Sequence, residues 1–298
     1  MGYKLDVALD SGALLGEGPC WDGESGILYW IDGLGRSVHA FDPSTGTDRM
    51  VCVDQFVGCV NLREAGGLIV ALEHGFYRLD FESGSVSLIA NPEAAVEGNR
   101  FNDGKCDSRG RLWCGSMSQK ENEGAGLHPP AGSFYRLSGD GSVEKMFGSV
   151  GISNGLGWDR AERTMYHIDS PTRRIDAFDF DVAAGTLARR RMVVKIPEGW
   201  GLPDGMCVDV EGMLWVGLWG GGKIARWDPS SGVLLDTIEV PVVNVTCCAF
   251  GGPDLADLYI TTSRVGLDAE GMVRHPHAGA VFITRPGTQG LPANRFKG

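Results

Sequence analysis

Short runs of alternating apolar and polar residues, set apart by turn residues, make up most of the chain. In SVHAFD, Val38, Ala40 and Asp42 face one way while His39 and Phe41 face the other, which is the period of a β-strand. Such runs come in two series. One reads ILYWID from Ile27, LIVALE from Leu68, RLWCGS from Arg111, TMYHID from Thr164, MLWVGL from Met213 and DLYITT from Asp257. The other reads SVHAFD, GFYRLD, SFYRLS, RIDAFD, KIARWD and GAVFIT, several of them ending at Asp-Pro-Ser or Ser-Gly turns. No segment reads as a long helix.

A third element precedes each pair of runs: EGPCWD from Glu17, NDGKCD from Asn102, NGLGWD from Asn154, DGMCVD from Asp204, TCCAFG from Thr246 and a weaker copy, GCVNLR, from Gly58. The first four open with an oxygen-bearing residue, carry Gly one or two places on, and end in Asp. Repeat starts lie about 40 to 52 residues apart, the spacing of a propeller blade. Six repeats of three or four antiparallel strands predict an all-β fold, a six-bladed β-propeller forming a single domain over residues 1–298. The alternative is an open β-sandwich array, whose strands do not normally repeat a three-run unit six times. The leading LDVALD is expected to pair with the last blade, closing the ring and removing an exposed edge.

Composition agrees with this. There are 45 Gly and only 14 Pro, with no collagen period, as many tight turns require. The net charge of −11 argues against a nucleic-acid or anionic-membrane partner, either of which favours a basic face. The eight cysteines form no CxxC pair, which argues against a zinc finger or a thioredoxin-type site. The first residues lack a basic start followed by an apolar run, and no apolar stretch is long enough for a membrane span. The expectation is a reduced, cytoplasmic protein, monomeric or weakly oligomeric, acting on a small molecule.

Propeller geometry turns the repeat into a site. If each repeat start opens the innermost strand of a blade, Glu17, Gly58, Asn102, Asn154, Asp204 and Thr246 meet at one end of the central channel. Two carboxylates and two carboxamides on such a ring suit a hard or borderline divalent ion. Singly, Asn154-Gly155 or Asp204-Gly205 reads as a turn; their common register across the repeats favours a shared site.

The stretches LGEGPCWD, NRFNDGKCDSRGRLWCGSM, ISNGLGWD, LPDGMCVDVEGMLWVGLWGGGKIARWDP and NVTCCAFGGPDLADLYITTSR, from Leu15 to Arg264, resemble the regucalcin (senescence marker protein) and gluconolactonase family. That resemblance implies a six-bladed propeller holding one divalent metal ion (calcium, zinc, manganese, magnesium or iron(II)) through Glu17, Asn154 and Asp204, with Arg100 and Asn102 meeting the substrate. Some family members place an acidic residue after the GSM segment; the matching position here is Lys120, with Glu121 and Glu123 near it. If Lys120 points into the pocket, a lactone carrying an acidic group becomes a candidate. The implied reaction is hydrolysis of a sugar aldonolactone, a step of carbohydrate metabolism. The metal polarises the carbonyl, and either Asp204 or a metal-bound water serves as base.

Two rivals remain: a metal-dependent phosphotriesterase or arylesterase on the same scaffold, and a non-enzymatic metal-binding propeller. Other candidates read as structure. Asp103 is read as a backbone-bonding group rather than a second base, His275-Pro-His277 as a surface loop, His167 as a core histidine and Gly220 to Gly222 as a turn. Trp21, Trp158 and Trp215 are assigned to the core, while Trp200 and Trp219 are possible sugar contacts. The stretch 119–131 is a candidate lid. No GxSxG is present to make a serine nucleophile elbow.

Overall fold

The computed structural model describes residues 3–119 and 130–298, which form six four-stranded antiparallel sheets. Blades 1 to 5 span residues 16–52, 57–90, 99–150, 153–195 and 202–239. Blade 6 combines residues 244–284 with the N-terminal strand Asp6–Leu9. That strand pairs with Val281–Thr284, placing Asp6 opposite Ile283 and Val7 opposite Phe282. The first residues thus close the ring on the last blade, as expected.

The repeat starts are the inner strands: Gly16–Asp22, Val57–Leu62, Asn99–Cys106, Ser153–Trp158, Leu202–Val208 and Asn244–Gly251. Each packs against the inner strand of the next blade around a central shaft. Every one is interrupted at its repeat start. Register shifts fall between Glu17 and Cys20, Val57 and Cys59, Phe101 and Gly104, Asn154 and Leu156, Pro203 and Met206, and Val245 and Cys247. Such bulges break the ladder and re-aim side chains.

The glycines beside the interruptions in blades 4 and 5 answer to crowding. A Cβ on Gly155 would stand 2.7 Å from the Asp204 carbonyl oxygen, and one on Gly205 would stand 2.3 Å from Cys247 Sγ. Neither glycine makes a turn; both let neighbouring inner strands approach to backbone contact.

The core is a set of wedges between blades rather than one mass. Val38 and Ala40 enter the wedge between blades 1 and 2, beside Ile31, Val60 and Val70. Phe41, on the other face of the same strand, enters the wedge between blades 1 and 6 with Trp21, Trp30 and Tyr259. The alternation read in SVHAFD is real, but it separates two cores instead of core from solvent. Trp158 and Trp215 lie in further wedges.

A six-residue helix, Ala269–Arg274, sits in the connection before the last strand, on the side of the repeat starts. Residues after Thr284 cross the opposite face. There Gly290 bridges to Asp209, and Phe296, fully buried, bridges to Arg63. Among the described residues no helix is long and apolar enough to cross a membrane.

Candidate functional site

The bulges bring Arg100, Asn102 and Asn154 into one hydrogen-bonded line. Arg100 Nη1 donates to Asn102 Oδ1 at 2.6 Å. Asn102 Nδ2 donates to the Ser153 carbonyl at 2.8 Å and to Asn154 Oδ1 at 2.9 Å. Asn154 Nδ2 donates to Ser170 Oγ at 2.8 Å, and Ser170 Oγ spends its single proton on the Pro203 carbonyl at 2.7 Å. Ser170 must therefore accept from Asn154, which fixes the amide with its nitrogen toward Ser170 and its oxygen toward Asn102. Asn154 Oδ1 keeps one acceptor site beyond the one that Asn102 fills.

Glu17 and Asp204 complete the cluster. Asp204 and Asn154 are buried, and Glu17 and Asn102 half-buried. Glu17 Oε2 accepts from its neighbour Gly18 N at 3.0 Å, and Asp204 is bonded by the Gly205 backbone. Neither has an ion-pair partner among the described residues. Burial, and next the charge of Asp103, pushes the Glu17 carboxyl up to about 8. Burial, then Glu17 and Asp103, holds Asp204 well above the ordinary carboxylate range. The pair repels itself in a site that offers few donors.

Arg100 is the nearby cation. Its guanidinium lies over the Phe56 ring, 3.6 Å from the centroid, and burial lowers its pKa to about 10, against the pull of Glu17, Glu73 and Asp204. Gln119 Nε2 donates to Glu73 Oε1 at 2.8 Å on the same side of the mouth. Phe56 and Ser170 contact the cluster's Arg100 and Asn154, and sequence reasoning missed both, since they come from outside the repeat elements.

A cation fits this cluster on its chemistry. Two under-donated carboxylates and a carboxamide oxygen with its amide direction locked form an oxygen-only acceptor set. Among the described residues no group of three or more His, Cys, Asp or Glu side chains stands ready for a metal. The candidate set is therefore two carboxylates plus carboxamide, and its assignment is taken up below.

The other members of the expected ring do not join it. Thr246 Oγ1 is buried and bonded to the Gly16 carbonyl at 2.6 Å, tying blade 6 to blade 1. Gly58 packs on the Asn102 carbonyl. Lys120, Glu121, Glu123 and His128 lie outside the described residues, with most of the candidate lid.

The structural readings hold where they can be seen. His275 Nδ1 reaches the Pro241 carbonyl at 3.3 Å and His277 Nδ1 reaches Asp10 at 3.2 Å, both at the surface. His167 is buried against Ser153 Oγ at 2.9 Å, and burial drives its pKa to about 3. Gly220 to Gly222 turn the chain between two strands of blade 5. Trp200 is half-buried, with the Lys223 ammonium 4.9 Å from its ring. A Ser37–His39–Asp48 line exists, with contacts of 2.8 and 2.7 Å, but Ser37 and His39 are buried and Trp30 stacks on the imidazole at 4.0 Å. It is interior packing.

Comparison with known proteins agrees with the geometry. The profile of the SMP-30/Gluconolactonase/LRE-like region matches residues 15–264. Regucalcin of Xenopus laevis is 38% identical over 296 residues, 99% of each chain. A solved regucalcin from Agrobacterium tumefaciens, described as a calcium-binding protein, is 28% identical and superposes with a TM-score of 0.93 over 99% of this chain and 98% of that one. The gluconolactonase XC5397 of Xanthomonas campestris is 26% identical, with a TM-score of 0.75 over 95% of this chain and 89% of that one. On the profile and the full-length likeness together, the chain belongs to the SMP-30/gluconolactonase/LRE-like family.

Proposed function

We propose that this enzyme hydrolyses a sugar aldonolactone to the open acid, using one divalent cation held by Glu17, Asn154 and Asp204. The observation that carries the proposal is the convergence of two carboxylates whose own repulsion and burial oppose their ionisation. A divalent ion there supplies a Lewis acid for the ester carbonyl and makes a bound water more acidic.

The chain's own groups do the rest. Asp204 takes the proton of the attacking water and returns it to the ring oxygen as that oxygen leaves. Glu17 holds charge and stays out of proton transfer. Asn154 is held rigid by Ser170 and contributes its oxygen. Arg100, braced on Phe56, donates to substrate hydroxyls or to the oxyanion, and Asn102 aligns Arg100 with the cluster. The polar arc of Arg100, Asn102, Glu73 and Gln119 favours a hydroxyl-rich lactone over the apolar phosphotriesters or aryl esters of the rival reading. Family relatives named as a gluconolactonase and as a calcium-binding protein support both halves of the proposal.

The test is proton release from neutral and acidic sugar lactones. Metal-stripped protein would be reloaded in turn with calcium, magnesium, manganese, zinc and iron(II). Metal-dependent hydrolysis above the spontaneous rate is expected. Folded, metal-loaded protein that accelerates no lactone would overturn the proposal.

A further inference from the structure

Beneath the cluster the inner strands enclose a shaft of about 360 Å³, lined in part by Gly18, Asp103, Lys105 and Cys207, with Leu291 to Asn294 of the C-terminal segment also on its wall. Two charged side chains of the inner strands stand in it, while Asp159, Arg160 and Glu162 line it from a turn of blade 4. Asp103 follows Asn102 directly and is buried; its Oδ1 accepts from Gly104 N at 2.7 Å, while its Oδ2 is buried without a partner among the described residues. Lys105 lies two residues further along the same strand of blade 3, and its ammonium donates to the Met206 carbonyl of blade 5. The side chain therefore passes blade 4 and crosses the shaft as a strut. Met206 is two residues from Asp204, which in extended backbone is roughly 7 Å.

This arrangement is costly for a mere filler. An ammonium whose bonded partner is a neutral carbonyl, and a carboxylate with one oxygen unbonded, both lose hydration that an apolar pair would not. Asn61 apart, the inner strands fill neighbouring positions with glycine, thiols and aliphatic or aromatic groups instead. Asp103 also stands beside the cluster, because the residue before it, Asn102, donates to Asn154 Oδ1 at 2.9 Å.

We infer that Asp103 and Lys105 are positioning residues for the cation site: opposed fixed charges in the shaft, of which Asp103 strengthens and Lys105 weakens the hold of the Glu17, Asn154 and Asp204 cluster on a divalent ion. The inference rests on the cation reading given above. Its logic is charge balance. A third carboxylate alone would neutralise the ion and blunt its pull on a carbonyl; the ammonium two residues away offsets that carboxylate and leaves the ion's charge for the substrate.

The test is calorimetric titration of metal-stripped, full-length protein with manganese(II), with melting curves as a fold control. Asp103→Asn, which keeps the Gly104 bond, is expected to raise the Kd on the order of tenfold, and Lys105→Met to lower it on the order of tenfold. The double variant is expected to return to within about threefold of the parent, because the two charges act in opposite directions. Lys105→Gln, which retains a donor for the Met206 carbonyl, is expected to follow Lys105→Met, and stands in for it if the methionine variant does not fold. A merely structural role predicts weaker binding in both single variants and the weakest in the double; that result, or unchanged affinity in the lysine variants, overturns the inference while the cation reading stands. Parent protein that takes up no ion, or uptake that survives Glu17→Gln, overturns the cation reading itself and the inference with it.

Discussion

The two ends of the blade 5 repeat element, Asp204 to Asp209, treat a buried carboxylate in opposite ways. At the far end, the Asp that closes the repeat is saturated. Asp209 is fully buried and accepts from Glu211 N, Met213 N, Trp215 Nε1 and two nitrogens of Arg226. Asp107, equally buried, accepts from Arg109 N, Arg111 N, Arg111 Nε and Trp113 Nε1. At the mouth, five residues earlier in the same repeat element as Asp209, Asp204 is nearly as buried but has a backbone donor and two carboxylate neighbours. Burial is therefore uninformative by itself. What separates an anchor from a site is whether the fold supplies the donors a buried anion needs.

The contrast is broken most forcefully by removing one carboxylate from each end. Asp204→Asn is expected to lower kcat/KM about 10³-fold, as loss of a general base does, while melting of the metal-free protein stays the same or rises. Asp209→Ala is expected to cost about 3–5 kcal/mol in chemical denaturation, because it strands Arg226, an indole N–H and two backbone N–H groups. Protein of the Asp209 variant that remains folded should keep its kcat. A stability loss at Asp204 equal to that at Asp209 would erase the distinction.

Acid–base behaviour sharpens the same point. Glu17 sits at about 8 in the folded chain against an ordinary 4.5, so the unfolded chain ionises first and the folded one holds the extra proton. The metal-free protein should therefore lose stability as pH rises from about 4.5 through about 8, and a saturating divalent ion should remove that loss. Melting curves at pH 5.5 and 8.5, with chelator and with added ion, check both statements.

Smaller effects follow from how closely the inner strands approach. Gly155→Ala places a methyl 2.7 Å from the Asp204 carbonyl oxygen and should cost about 1–3 kcal/mol while weakening ion uptake. His277→Ala, at a surface pair with Asp10, should change stability by less than about 0.5 kcal/mol and leave activity alone.

Much of this was legible in the sequence because a propeller repeats its blade, so one register points to six equivalent positions. Glu17, Asn102, Asn154 and Asp204 stood out as polar openings of that register, and the structure does gather them. Thr246 shared the register but is spent on a bond between blades, a use that spacing alone does not reveal. Ser170 and Phe56 went unread because they come from connections outside the repeat, where nothing in the pattern marks a partner. The glycines were read as possible turns, since Asx-Gly is a turn signal; their role is set by the backbone of the next blade, which is far away in sequence. Asp103 was half legible: one oxygen bonds backbone as expected, and the other is left unpaired in the shaft.

The central claim is that the under-donated pair at the mouth is the seat of both ion binding and lactone hydrolysis. The most direct test titrates metal-stripped protein with manganese(II) while following bound ion and aldonolactone hydrolysis in the same samples. The account predicts that both rise together and saturate at one ion per chain, and that Glu17→Gln loses both. Full activity without an ion, or ion binding and activity that saturate at different stoichiometries, would contradict it.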